Sequence, residues 1–590
     1  MPWLASTTCS WAVIKTMTNG NLGSASQITG EDPFDSALIT RLFHEVSAEF
    51  QQPFPSPALP ILGAAASGPL EKESGYSSPP PVHPILSEPA PHSGTAGPQS
   101  APSAIRSGGH APADANTQGF GEPRCSKERF GELSSKPDVR SGHSLSHLSE
   151  SESESDPSAL YFVREPEKAL GGGPSIIGNV GGAAPFRGFP VEKIRADFPA
   201  LHQQVHGRDL IWFDNAATTH KPQSVIDAVS GFYAHDYSNV NRAAHALAQR
   251  ATELYESGRD KVREFIGASS KDEIVFVRGA TEAINLVAQT FGKAQVGAGD
   301  EILLTTMEHH ANIVPWKILA EQTGASLRVV PINDRGELLL DHFATLLSSR
   351  TKLVAITHVS NALGTINPLE HIIPLAHAYG VPVLVDGAQS TPHIPIDVQA
   401  LGADFYVFSG HKVFAPTGIG ILYGRKELLE SMPPYQGGGA MIQDVTFSKI
   451  TYNPPPQKFE AGTQHIAGVV GLAAAIDYLQ GIGMPAIAAY EHELLEYATA
   501  ALAEVRGIRP IGTAASKASV LTFNVNGVDS EEVGQFLDSQ GVAVRAGHHC
   551  AQPSLRRFGV EKAVRPSFAF YNTREEIDVL IRALHQLPRR

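Results

Sequence analysis

Cysteine is scarce: the 590 residues contain three, Cys9, Cys125 and Cys550. Three thiols cannot build a disulfide framework, and their rarity fits a reducing cytoplasm. Positive charge is short as well. Lys and Arg total 46 against 60 Asp and Glu, a formal net charge of -14 at pH 7. That balance argues against a nucleic-acid partner. There is no run of about 18 or more apolar residues, so no segment reads as a membrane span. The opening MPWLASTTCSWAVIK lacks a basic stretch followed by a long apolar core, so no secretory signal is expected. Met17 is an alternative start to Met1.

What is present divides the chain in two. Residues 1–185 hold 22 of the 43 prolines in under a third of the length. They include the tract Ser77-Ser78-Pro79-Pro80-Pro81 and the run Ser149-Glu150-Ser151-Glu152-Ser153-Glu154-Ser155-Asp156. Such a composition buries too little apolar surface to offset ordering entropy, which predicts a disordered Pro/Gly/Ser-rich region. Three islands interrupt it, near 31–50, 54–62 and 159–180. The first places Phe34, Leu38, Ile39, Leu42, Phe43 and Val46 at helical spacing, with Asp32 before Pro33 as an N-cap signal. A lone amphipathic helix of that length needs a surface to pack on. The islands therefore read as short docking motifs, or as contacts with the chain's own folded part.

From Phe186 the composition is that of a globular enzyme. Apolar runs such as Ile274–Val277, Ile302–Leu304, Leu353–Ile356, Val381–Val385 and Phe405–Phe408 alternate with helical patterns. This predicts an α/β fold with a mostly parallel sheet covered on both faces. The expected organisation is a large domain over 186–480 and a smaller C-terminal α/β domain over 481–590. A helical stretch from about Gly468 to Val505 joins them, and Val542–Gly547 reads as one apolar strand. Ligands of such sheets gather at the carboxyl ends of strands, where Thr281, His309, Asn361, Asp386 and Lys412 fall.

Each of these residues has a chemistry. Lys412, just past a buried strand in Ser409-Gly410-His411-Lys412, can form a Schiff base with an aldehyde cofactor once desolvation lowers its pKa. Gly279-Ala280-Thr281 opens a helix, and its backbone N–H groups with the Thr281 hydroxyl can hold a phosphate. Asp386 can keep a ring nitrogen protonated, or merely cap the next helix. His309 can stack on a planar ring. The adjacent pair His309-His310 does not suggest a metal, because neighbours do not share a face. Cys550 follows Arg545-Ala546-Gly547-His548-His549, and nearby positive charge favours its nucleophilic thiolate. A phosphate cradle, a ring stacker, a carboxylate, an amine and a separate thiol together describe a pyridoxal-phosphate site with an added nucleophile.

The region from about Phe189 to Leu587 resembles the cysteine desulfurases, most closely the SufS-type, group II branch of the class V aminotransferase-like, fold-type I pyridoxal-phosphate enzymes. The resemblance rests on Asp214-Asn215-Ala216-Ala217-Thr218, Arg278-Gly279-Ala280-Thr281-Glu282, Glu308-His309-His310-Ala311-Asn312, Ser360-Asn361, Asp386-Gly387-Ala388-Gln389, Ser409-Gly410-His411-Lys412, Phe459-Glu460-Ala461-Gly462-Thr463 and His548-His549-Cys550. It implies a seven-stranded, mostly parallel sheet in the large domain. It implies that Lys412 carries the pyridoxal phosphate, that His309 stacks on its ring, and that Asp386 and Gln389 contact the ring nitrogen and phenolic oxygen. Ala280, Thr281, Ser409 and His411 would hold the phosphate. Thr463 would reach the phosphate in the other subunit of a homodimer. Asn361 and Arg565 would bind the carboxylate of L-cysteine, with Arg242 and Arg545 nearby. Cys550 would take the sulfur as a persulfide, leaving L-alanine, for iron–sulfur cluster assembly or other sulfur metabolism.

The same resemblance implies a sulfur-acceptor protein of the SufE or SufU kind. Two departures bear on substrate entry and acceptor choice: Asn241 where many relatives have histidine, and Val564-Arg565-Pro566-Ser567 in place of a commoner Cys-Arg-Ala-Ser. The N-terminal region resembles the cargo-loading domain of desulfurases packaged in family 2 encapsulin nanocompartments. That implies a cytoplasmic enzyme held inside a protein shell. Two alternatives remain open on sequence: a selenocysteine lyase on the same scaffold, and a shell-interacting protein with a silent catalytic domain.

Overall fold

The computed structural model describes residues 188–240 and 244–588. The expectations for residues 1–185, including the three islands, lie outside the described residues, as do Asn241 and Arg242.

The centre is a seven-stranded sheet. Its order is Ile274–Val277, Gly420–Gly424, Phe405–Ser409, Val383–Asp386, Thr351–Thr357, Glu301–Thr305 and Ser326–Val330. Gly420–Gly424 runs antiparallel to both neighbours, and the remaining pairs are parallel. Every residue of Phe405–Ser409 and Val383–Asp386 is buried. Helices on both faces explain why these strands read as unbroken apolar runs rather than alternating ones. Parallel order also points successive strand ends the same way, so Asp386, Thr357 and Ser409 finish on one edge. The antiparallel strand closes that edge, with Gly420 opposite both Ser409 and Val277.

A second, four-stranded sheet has the order Ile508–Ile511, Thr522–Val525, Ala563–Arg565 and Arg545–Gly547. The structure corrects the single strand expected over Val542–Gly547. Val542–Ala543 pairs in parallel with Ile211–Trp212, whereas Arg545–Gly547 pairs antiparallel with Ala563–Arg565. Ile211 and Phe213 accordingly share a core with Leu494, Phe523, Leu537 and Phe568. The C-terminal module is thus completed by residues near the start of the folded region.

The helical stretch Gly468–Val505 is two helices, Ile466–Ile482 and Met484–Ala503, bent by 75°. Gly483 sits between them with φ +96°, a conformation that favours glycine. Among the described residues no single helix is long and apolar enough to cross a membrane. The apolar Ile466–Ile482 is a core helix, packed against Ala246–Phe265 and Gln223–Gly231.

Candidate active site

Five loops leave the carboxyl edge of the large sheet and close over one cavity of about 200 Å³. Its walls include Ala280, Thr281, His309, Asn361, Asp386, Gln389, Ser409, His411, Lys412, Arg545, Cys550 and Arg565. Twelve of the fourteen residues singled out from the sequence therefore meet in one place. Thr463 does not: it lines separate clefts, one with Tyr255, Arg278 and Glu282, the other with Asn239 and Val240. Arg242 lies outside the described residues.

The floor is built from strand ends. Asp386 is 4% exposed, and its Oδ1 accepts the N–H of Ala388 at 3.0 Å. Burial pushes its carboxyl above the usual range, against that bond and the Lys412 amine. The turn after it needs Gly387, because a Cβ there would lie 2.1 Å from the Tyr406 ring. Gln389 donates Nε2–H to the carbonyl of Ala216 at 2.6 Å. Lys412 ends a single turn, Gly410–Lys412, directly after Phe405–Ser409. Its Nζ makes no hydrogen bond or ion pair among the described residues. Withdrawal from water pushes it down to about 8, with Asp386 and Cys550 opposing and Arg565 and Arg545 reinforcing.

The cradle is equally local. Ser409 Oγ accepts the N–H of Ala280 at 2.9 Å, which ties the helix Ala280–Val287 to the lysine strand. His411 meets the Thr218 hydroxyl through Nδ1 at 3.1 Å. Burial, Lys412 and Lys221 push its ring down to about 4, so it is neutral. His309 accepts the N–H of Ala311 at Nδ1, 3.1 Å, which puts its proton on Nε2. Burial first, then the Lys412 charge, pushes that ring to about 3.

On the opposite wall, Arg565 is 2% exposed. It donates from Nη2 to Asp214 Oδ1 at 3.0 Å and from Nη1 to the Asn361 carbonyl at 2.9 Å. Arg545 Nη1 lies 3.7 Å from the other oxygen of Asp214. Burial lowers Arg565 to about 10, and Asp214 opposes the fall. Asn361 donates Nδ2–H to the His549 carbonyl at 2.7 Å. Asn361 Oδ1 and Arg565 Nε are buried with no partner. Unpaired buried polar atoms converging on one cavity are what a ligand would satisfy. Cys550 lines the same cavity from a loop in which His549 and Cys550 both have positive φ, +53° and +54°. Such left-handed backbone is rare for residues with a side chain and clusters where function holds it.

Two residues carry the site without having been assigned a role from sequence. Asp214 anchors both arginines. Glu308 is fully buried and accepts from the Thr305 hydroxyl at 2.6 Å, the Thr357 N–H at 3.1 Å and Asn312 Nδ2 at 2.7 Å, fixing the loop that carries His309. Burial raises its carboxyl to about 8. Glu308 sits beside His309 in sequence, but nothing in its spacing distinguishes a buried acceptor from a surface acid.

Residues 211–580 match the aminotransferase class-V family. The chain is 62% identical over 399 residues to a probable cysteine desulfurase of Mycolicibacterium paratuberculosis, covering 68% of this chain and 58% of that one. It is 59% identical to a cysteine desulfurase of Synechococcus elongatus, covering 68% and 64%. The chain thus spans about three fifths of the length of these two relatives. It is 50% identical to the cysteine desulfurase of Dickeya dadantii, covering 69% of this chain and 98% of that one. Among solved structures, the Escherichia coli cysteine desulfurase CsdA in its S-sulfonic acid form matches with a TM-score of 0.63 at 41% identity, covering 67% and 98%. The apo cysteine desulfurase of Thermococcus onnurineus matches with a TM-score of 0.64 at 38% identity, covering 67% and 97%. With most of the chain matched in sequence and in fold, the protein belongs to the aminotransferase class-V family, among its cysteine desulfurases.

Proposed function

We propose that this chain is a pyridoxal-phosphate-dependent L-cysteine desulfurase of the SufS type. The observation that carries the reading is one cavity lined by an unpaired, desolvated lysine amine, a buried carboxylate and a thiol on a strained loop. The residues fit the cofactor. Lys412 would hold it through its aldehyde, Asp386 would face its ring nitrogen, His309 would cover its ring, and Ala280, Thr281, Ser409 and His411 would hold its phosphate.

When bound, pyridoxal phosphate supplies a conjugated acceptor for electrons released at the substrate's carbon skeleton. The chain supplies the rest. Arg565, aimed by Asp214, binds the cysteine carboxylate, and Asn361 Oδ1 is free to accept a proton donor beside it. Lys412 Nζ moves the proton at the substrate Cα. His309, neutral and protonated on Nε2, serves as a donor and not as a fixed charge. The Cys550 thiolate attacks the substrate sulfur. A sulfur–sulfur bond forms, the substrate Cβ–sulfur bond breaks, and its electron pair stays with Cβ, which then takes a proton. Alanine leaves and Cys550 keeps the persulfide.

The remaining expectations belong to the same proposal. Thr463 lies away from this cavity, beside a hairpin that exposes Val445, Phe447, Ile450 and Tyr452, which supports a homodimer in which Thr463 serves the second copy's site. The composition of residues 1–185 supports a cytoplasmic enzyme packaged in an encapsulin shell. A protein acceptor would then collect the sulfur from Cys550. The deciding measurement is alanine and sulfide production from L-cysteine with a thiol reductant. Cys550→Ser should abolish both while the bound cofactor keeps its yellow absorbance; sulfide release that persists in this variant would refute the mechanism.

A further inference from the structure

Cys550 sits at the tip of a loop whose backbone is costly to hold. His549 and Cys550 both adopt left-handed φ values, +53° and +54°. Such backbone is strained for residues with a side chain, so surrounding contacts must over-determine the conformation. The contacts are specific. The Cys550 N–H donates to His548 Nδ1 at 3.2 Å. The Cys550 carbonyl accepts the N–H of His310 at 2.8 Å. The next free amide, that of Gln552, points at His310 Nε2 over a longer 3.4 Å. The His310 and His548 rings lie 5.9 Å apart and tilted by 30°. A ring nitrogen that accepts an amide hydrogen must carry a lone pair. The same pattern recurs one loop away, where His309 Nδ1 takes the N–H of Ala311. Asparagine ordinarily makes this turn through Oδ1; here imidazole Nδ1 replaces it.

We propose that His548 and His310 are positioning residues for Cys550, whose ring nitrogens accept backbone amide hydrogens and so hold the thiol-bearing loop in place. The inference rests on the reading of Cys550 as the sulfur-accepting thiol. Partial burial and His548 both push His310 down from the ordinary histidine value. Both rings lie toward the surface, so substitution leaves the core intact.

The test uses the full-length, cofactor-loaded protein. Amide exchange at Cys550 is followed by mass spectrometry at pH 7.5, corrected for intrinsic rates. His548→Ala should lower protection at Cys550 roughly three- to tenfold at pH 7.5, the size of one hydrogen bond. His548→Asn, which keeps an acceptor at the same position, should match wild type. Iodoacetamide labelling of Cys550 should follow the same order. Exchange in His548→Ala equal to wild type, or His548→Asn behaving like His548→Ala, would each overturn the proposal. The two readings fail separately. A chain that makes no alanine from cysteine yet shows this exchange pattern refutes the desulfurase and keeps the clamp. A chain that makes alanine with unchanged exchange in His548→Ala does the reverse.

Discussion

Asp214 Oδ1 accepts a hydrogen bond from Arg565 Nη2 at 3.0 Å across 351 positions of sequence. The carboxylate comes from the loop after Ile211–Trp212 and the guanidinium from the end of Ala563–Arg565. This one bond ties the first loop of the folded region to the wall that would bind the substrate carboxylate. Asp214→Asn keeps the shape and removes the charge that offsets the burial of Arg565. It should cost roughly 1.5–3 kcal/mol of stability, the range for a hydrogen bond to a charged group. The Michaelis constant for cysteine should rise more than the turnover number falls, because Arg565 binds and does not react. Steady-state kinetics with urea denaturation check both, and an unchanged Michaelis constant would exclude the role.

Much of this site was legible because its main residues lie at, or a few positions past, strand ends. Asp386, Ser409 and Lys412 follow apolar runs that the sequence marks plainly, and parallel order carries their ends to one edge. What was hidden depends on partners distant in sequence. Val542–Gly547 is one apolar run, yet its two halves pair with strands that lie on opposite sides of it in the chain, near residues 211 and 564. Asp214 shows in sequence only as part of a motif, since its purpose is set by an arginine that folding brings to it. Thr463 lines clefts apart from this cavity, and the proposed homodimer would bring it to a second copy's site.

A buried ion pair behind the cradle should be more sensitive than any surface bridge. Arg259 and Glu460 have side chains 1% and 2% exposed, joined at 2.7 Å and 2.9 Å. Glu460 also accepts from the Phe276 N–H and the Tyr255 hydroxyl, each at 2.8 Å. It therefore joins the strand Ile274–Val277 to the segment leading to Thr463. Glu460→Ala leaves a buried guanidinium unpaired and should cost about 3–5 kcal/mol. Replacing both partners, Arg259→Met with Glu460→Leu, should cost less than the single change. Urea midpoints at constant slope measure this; a double variant weaker than Glu460→Ala would contradict it.

Truncation should separate the two parts of the chain at a defined residue. Phe189 stacks on Tyr490 with ring centroids 4.2 Å apart, and Arg195 pairs with the buried Glu576 at 2.8 Å. Removing residues 1–185 spares both contacts. That variant should keep its thermal midpoint and its alanine production while losing co-purification with a shell. Removing residues 1–197 takes both contacts and leaves the buried Glu576 Oε1 without its ion-pair partner, so the thermal midpoint should fall by several degrees. Equal midpoints for the two truncations would show that the segment Val191–Ala196 contributes nothing. A truncated enzyme that still co-purifies with a shell would end the packaging proposal.

The pH at which Lys412 becomes a nucleophile is set by its burial. An ordinary lysine near 10.4 is unprotonated in about one molecule in 800 at pH 7.5, whereas an amine at about 8 is so in about a quarter. Uptake of pyridoxal phosphate by the cofactor-stripped chain should therefore rise with pH through about 8 and then level. Absorbance growth, with borohydride trapping and mass measurement of the Lys412 peptide, follows the covalent step. Lys412→Ala should trap no cofactor at that peptide. The Asp386 carboxylate favours the charged amine and opposes the fall. Asp386→Asn should accordingly move the midpoint to lower pH, even as it weakens retention of the ring. A wild-type midpoint that stays above 10 would mean that the amine is solvated, and that desolvation is not what prepares it.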